Sequence, residues 1–406
     1  MNTIQRTGLV AAEIDRHNAQ FVAANRGDVE RKIEKIKASP FQFYRGTAHL
    51  FYHDMRTSTP DSTGALAAAW LCGDAHIANF GSVLDSGDKQ VFAIGDFDEG
   101  YVGPFIWELR RLAASLVLAA RDNKLPGADD PVVIAPAIHA MAAAYRDTIL
   151  QPYAQLAEDN TSGVVRDTIV AGAENKPGKL LKKYTEAGRF NLQKKKDDLA
   201  PLQPARHQAV AAAVAAHVGA SNRVLDVCQR VGAGVGSLGK LRYYALLETG
   251  VILELKQATQ SAVTIAADGM LPPAIYQHHE GCRIARTEWA HMVNPDPLSS
   301  YTTIEGVAFY VHEKSPRQED FEVKDLDSVP KLMEAAPYLG RAVATAHALA
   351  AATYRAALPI DMAPVVDAAN TAGFLDELAD FAFGYAAQTE RDWAAWKAAP
   401  ATPPAA

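Results

Sequence analysis

No uncharged apolar run in the 406 residues reaches the length needed to span a membrane. The opening stretch MNTIQRTGLVAAEIDRHNAQ carries acidic residues early and lacks an apolar centre, so it does not read as a signal peptide. Cysteine is scarce: Cys72, Cys228 and Cys282 are odd in number, widely spaced and in no zinc or disulfide pattern. A reducing, cytoplasmic compartment is expected. A basic excess is missing too. Lys and Arg number 40 against 47 Asp and Glu, and the net charge of −7 argues against broad nucleic-acid binding. Neither a membrane nor a nucleic acid is an expected partner, and nothing in the sequence fixes an oligomeric state.

The chain is longer than one hydrophobic core usually supports, so two lobes are expected. Residues 1–39 read as a helical extension with a break near Asn25–Asp28. A larger helix-rich lobe spans 40–225 and is rejoined by helices over 326–396. Within it Pro104 opens the amphipathic helix FIWELRRLAASLVLAARD. The lysine-rich stretch 155–200 reads as a variable basic insertion on the surface. A small β-rich lobe occupies 226–325, and 397–406 reads as a disordered tail. Segregated helices and strands mean α+β rather than an alternating parallel sheet.

Two short stretches carry the chemistry. In GDAHIANFG, Asp74 and Asn79 stand five positions apart, the spacing of the kinase catalytic loop H-R-D-x-x-x-x-N. A carboxylate there accepts the proton of an attacking hydroxyl, and an amide oxygen ligates metal. Asp96 and Asp98 follow in GDFDEG, where hard oxygen ligands suit Mg²⁺ held together with phosphates. Gly-Asp pairs are also common turn formers. His49, His53 and Asp54, with Asp74, His76 and Asp96, offer a competing metallohydrolase ligand set.

The second stretch has Gly234, Gly236 and Gly239 in a G-x-G-x-x-G spacing that includes Ser237. A dinucleotide loop would need a helix next. KLRYYALLE instead continues as a strand, so a phosphate-covering glycine loop between antiparallel strands is expected. Lys256 ends VILELK, its side chain opposite to Leu253 and Leu255, as the V-A-I-K lysine stands in kinases. Glu280 is the expected carboxylate partner of Lys256, with Glu288 as the alternative on roughly the same helix face. Arg283 and Arg286 are further phosphate candidates or surface charges.

At these residues the chain resembles the bacterial DUF2252 family, through FYRGTAHLFYHDM, GDAHIANFG, FDEGYVGPFIWELRRLAASL, GVGSLG, LELKQA, EGCRIAR, GRAVATAHA and DFAFGYAAQTERDWAAW. That family is grouped with protein-kinase-like and aminoglycoside-phosphotransferase-like folds. The resemblance therefore implies a two-lobed kinase-like α+β fold, circularly permuted because the catalytic loop precedes the glycine loop. It implies Asp74 as catalytic base, Asn79 and Asp96 as metal ligands with Asp98 beside them, and Lys256 on the phosphates of ATP. Cys72 stands where such kinases often have histidine. YLGRAVATAHALAA resembles the helix that normally precedes the catalytic loop, so 329–357 should pack beside 70–120. The expected activity is ATP- and Mg²⁺-dependent phosphoryl transfer to a small molecule, an anionic one if the lysine-rich stretch borders the cleft. A nucleotide-binding pseudokinase, a nucleotidyltransferase and the metallohydrolase are the alternatives.

Overall fold

Along the strand Ile252–Gln257, Leu253 and Leu255 face one side and Glu254 and Lys256 the other, and the surrounding sheet inherits that division. In the computed structural model, which describes residues 3–57, 67–151, 154–219, 222–232 and 234–399, this strand is central in a six-stranded antiparallel sheet. The order is Ser300–Ile304, Val307–Glu313, Ile252–Gln257, Arg242–Leu247, Val224–Arg230 and Leu199–Ala200. Its apolar face, with Tyr243, Ala245, Leu253, Leu255, Phe309 and Val311, buries Val210 and Val214 of the helix Pro204–Val218. Register sets Lys256 opposite Arg242 and Tyr310, and Glu254 opposite His312. Cross-strand neighbours share a face, so the sheet's second face is lined with ionisable groups.

The other body is helical. Phe105–Asp122 is buried along most of its length, and Val329–Thr353 packs on it and most extensively on Pro131–Thr148. Asp130 caps the latter helix by accepting from the Val132 amide at 2.9 Å, with Pro131 in its first turn. The C-terminal helix Phe374–Ala398 closes the bundle against Phe105–Asp122. Two small sheets are set into this body: Ala68–Leu71 with Tyr101–Pro104, and Phe80–Leu84 between Gln90–Ile94 and Glu319–Asp320. Val329–Thr353 also packs on Ala68–Leu71, as its resemblance implied.

The helix Thr3–Ile36 is kinked at Asn25 (φ −156°, ψ 57°), where the polar break was expected. Arg6 ties it down, pairing with Asp54 at 2.5 Å and Asp392 at 2.6 Å.

Three expectations change. The 155–200 stretch is not a surface excursion: Tyr184, Phe190 and Leu199 are buried against Tyr244, and Leu199–Ala200 is a strand of the six-stranded sheet. Leu156, Val164, Val165 and Ile169 are buried in the main core as well, so a few well-spaced apolar side chains dock a segment whose composition is otherwise polar. Residues 274–292 form two helices, Pro273–Tyr276 and Glu280–His291, separated by Gln277 and His278 at φ 56° each. The last helix runs to Ala398, and 400–406 of the expected tail lie outside the described residues, as does most of TSTPDSTG. The fold is α+β. Among the described residues no helix is long and apolar enough to cross a membrane.

Candidate functional site

The loop bearing Asp74 leaves the buried strand Ala68–Leu71 and is caught at once by Glu108. This wholly buried carboxylate accepts from the Cys72 amide at 3.0 Å, the Gly73 amide at 2.8 Å and the Cys72 thiol at 3.1 Å. His347 reaches it at 2.8 Å, and the other ring nitrogen of His347 meets the Tyr145 hydroxyl at 2.9 Å. Burial would raise the Glu108 pKa, but the hydrogen bond and charge of His347 hold it below the usual carboxylate range. The position expected to hold a histidine therefore has Cys72, and a histidine arrives from a distant helix.

Gly73 has φ +82°, and a Cβ there would lie 1.9 Å from the Glu99 carbonyl oxygen. Only glycine fits. Gly73→Ala is expected to cost at least about 2–3 kcal/mol, since strained φ and a backbone clash combine. Denaturant unfolding checks this, and a loss below about 1 kcal/mol would refute it.

Asp74 accepts from Arg111 Nε at 2.5 Å and lies 3.7 Å from His76 Nε2. Burial pushes its pKa up to about 6, outweighing the Arg111 guanidinium. The Asn79 side-chain amide donates to the Asp74 carbonyl at 2.8 Å, while its oxygen accepts no hydrogen bond among the described residues. Asp74 and Asn79 are thus locked into one turn.

The GDFDEG loop is shaped by a buried guanidinium. Arg283 donates to the carbonyls of Asp98 (2.8 Å), Gly100 (2.6 Å) and Thr259 (2.9 Å). Glu280 accepts from Arg283 Nε at 2.5 Å. The expected Glu280–Lys256 pair is therefore corrected: Arg283, one helical turn further along, takes the carboxylate. Glu288 does not pair with Lys256 either. It accepts from Tyr310 at 2.5 Å and from Ser299, and burial raises its pKa to about 7.

Lys256 pairs with Asp98 at 2.9 Å and Asp96 at 3.4 Å, and a second lysine, Lys240, reaches Asp98 at 2.8 Å. Burial would raise the Asp98 pKa, yet Lys240 and Lys256 hold it ionised well below the usual range. Burial and the neighbouring Asp98 charge push Asp96 up. Lys256, which burial alone would deprotonate more easily, is held protonated by the two aspartates.

Asp96, Asp98, Lys256 and Glu288 border a cavity of about 1080 Å³, and Lys240 is not part of its lining. Asn79, Asp96, Asp98, Gly234, Ser237 and Lys256 line it; Asp74, Gly236, Gly239 and Glu280 do not. On the sheet wall Arg242 pairs with Glu254, whose pKa falls to about 2 because that charge overcomes burial. The glycine loop joins the antiparallel strands Val224–Arg230 and Arg242–Leu247, and its turn Val235–Ser237 packs on the kinked helix and on Pro40–Gly46. A Cβ at Gly234 would meet no protein atom within 4 Å, which leaves room for a ligand to approach that backbone.

The metallohydrolase set is dispersed. His49 stacks on His17, His53 lies 3.8 Å from Asp54, and only His76 is beside Asp74. Among the described residues no three His, Cys, Asp or Glu side chains group to hold a metal ion. Sequence reading missed Lys240, although it directly follows the glycine loop. It also missed Arg111, which looked like one more charge on an amphipathic helix, and the loop-clamping role of Arg283.

No curated protein and no solved structure matches the chain. A family profile does, over residues 26–399, with the description "Uncharacterized protein conserved in bacteria". With nearly the whole chain matched, including both loops of the cavity, the protein belongs to the DUF2252 family.

Proposed function

We propose that this protein is an ATP- and Mg²⁺-dependent phosphotransferase of two-lobed, circularly permuted kinase-like fold, acting on a small-molecule acceptor. The observation that carries the reading is Asp98 held between Lys240 and Lys256, with Asp96 beside Lys256, at a cavity that Gly234 and Ser237 of the glycine turn border. Two carboxylates and the Asn79 amide oxygen suit a divalent cation that takes its remaining oxygens from phosphates and water. When bound, that ion neutralises charge on the transferring phosphoryl group.

The chain's own residues supply positioning. Lys256 and Lys240 would exchange their aspartate contacts for nucleotide phosphates, and Gly234 leaves space for those phosphates against the backbone. Asp74 takes the proton of the acceptor hydroxyl as its oxygen bonds to the terminal phosphorus of ATP. The bond from that phosphorus to the bridging oxygen breaks, and ADP leaves with the electron pair. The hydrogen bond from the Asn79 side chain, which lines the cavity, to the Asp74 carbonyl supports this role.

Thermal unfolding with and without Mg²⁺ and ATP tests the reading on wild type and Asp96→Ala. Ligand at about 100 times its Kd adds about 2.7 kcal/mol, a shift of roughly 2–4 °C per kcal/mol in domains of about 150–250 residues. The shift is expected in wild type, only with Mg²⁺, and absent in Asp96→Ala. No shift in wild type would sink the proposal. Release of AMP rather than ADP would replace phosphoryl by nucleotidyl transfer.

A further inference from the structure

The helix Pro40–Gly46 is held between the Asp74 turn and the glycine turn. On one side its Tyr44 carbonyl accepts from Arg111 Nη2 at 3.1 Å, and Arg111 Nε holds Asp74 at 2.5 Å. On the other, a Cβ at Gly46 would stand 2.7 Å from Val235 Cγ1, so the helix backbone abuts the glycine turn. Arg45 sits between these two anchors. It is half-buried and lines the cavity together with Phe41, Gln42 and Asn79.

The Arg45 guanidinium has an unused edge. Nη1 donates to Gln42 Oε1 at 3.4 Å, and the Phe41 ring covers one face with its centroid 5.8 Å away. Nε is buried without a hydrogen-bond partner, and Nη2 donates to nothing among the described residues. Asp122, Asp320 and Glu322 line the same cavity, yet among the described residues no carboxylate pairs with Arg45. Other cations of the cavity are engaged: Arg242 with Glu254, Lys256 with the aspartates, Lys324 with Glu322 at 3.8 Å, and Lys314 with Gln318 at 3.2 Å. Arg317 makes no ion pair either, but it follows the strand Val307–Glu313, and no hydrogen bond ties it to the Asp74 turn among the described residues. A charged donor left without an acceptor is costly. The edge formed by Nε and Nη2 matches two oxygens of a carboxylate or a phosphate.

We propose that this edge of Arg45 receives an acidic group of the acceptor, making the substrate a small molecule that carries a carboxylate or phosphate besides its reacting hydroxyl. This rests on the phosphotransferase reading for the transfer itself, but the oxyanion site stands without it. The acidic group is bound and not broken. Arg45 and Asp74 are fixed relative to each other through Tyr44 and Arg111. The spacer between acid and hydroxyl must therefore match one span, which selects among acceptors.

Titration calorimetry on the full chain, with inorganic phosphate and with malonate as probes, provides the test. Mg²⁺ and the non-transferring ATP analogue AMP-PNP are present, so the place of the terminal phosphate is already filled. Wild type is expected to bind at least one probe, and the tighter of the two names the acid. Arg45→Met should bind it at least about tenfold more weakly, the usual loss for a charge-assisted hydrogen bond. Arg45→Lys should fall between them, because it keeps the charge and loses the fork. Arg317→Met should stay within about twofold of wild type, as a cation outside the site. Without ligand Arg45→Met should melt within about 2 °C of wild type, since no ion pair is lost. Binding of neither probe by wild type, equal binding by wild type and Arg45→Met, or a loss in Arg317→Met alone would overturn the proposal. So would weaker binding of Mg²⁺–AMP-PNP but not of Mg²⁺–ADP by Arg45→Met, which would give the edge to the terminal phosphate of the nucleotide. Failure of wild type to bind Mg²⁺–AMP-PNP, with Arg45-dependent probe binding intact, would end the phosphotransferase reading and leave the oxyanion site standing.

Discussion

Denaturant unfolding of Asp98→Ala is expected to show a loss of about 3–5 kcal/mol, the usual result of removing one member of a buried ion cluster. Among the described residues Asp98 is the only carboxylate that both Lys240 and Lys256 touch. Without it Lys240 loses its ion-pair partner, and Lys256 keeps only the longer contact to Asp96. The double variant Asp98→Ala/Lys240→Met should recover part of the loss, since it also removes the stranded ammonium. The pH dependence has a definite sign. The folded pKa of Asp98 lies below its unfolded value of about 3.9, so its contribution is complete above that value and is lost as pH falls through the folded one. The difference between wild type and Asp98→Ala should therefore be constant from about pH 5 upward and shrink only in strong acid. A variant within about 1 kcal/mol of wild type would show that the two lysines need no counter-charge.

Asp74→Asn is expected to lower turnover by about 10²–10⁴, the usual range for removing a positioned general base. Affinity for Mg²⁺–ADP should stay within about twofold, because Asp74 lies outside the cavity lining. With its pKa near 6, wild-type turnover should rise with unit slope below about pH 6 and level off above it, as the carboxylate becomes available. The residual rate of Asp74→Asn should not follow that titration. Equal losses of turnover and of nucleotide binding would remove Asp74 from the role of base and make it a structural residue.

Both loops were legible in the sequence because their chemistry is compact: Asp74 with Asn79, and Asp96 with Asp98, lie within a few residues of each other. Strand alternation correctly directed Lys256 away from Leu253 and Leu255. Pairing across the chain was not legible. Glu280 and Glu288 share a helix face, but periodicity does not say that Arg283 claims the first and Tyr310 with Ser299 the second. Lys240 was hidden because a lysine after a glycine turn is ordinarily solvated, and only the fold brings Asp98 across 142 residues to meet it. Lys32 was less visible still. On a helix rich in polar residues it reads as surface, yet in the fold it is buried. The 155–200 stretch was misjudged for a related reason, since composition averages away the few apolar side chains that dock it.

The Arg283 contacts also have a mechanical meaning. One guanidinium holds the carbonyls of Asp98, Gly100 and Thr259, so the aspartate loop is pinned to the chain that follows the Lys256 strand. Parting those two walls would require the guanidinium to give up either the Thr259 carbonyl or both carbonyls of the aspartate loop. The compliance lies on the opposite side, where the glycine turn rests on the kinked helix through apolar contacts that slide more readily than directed bonds.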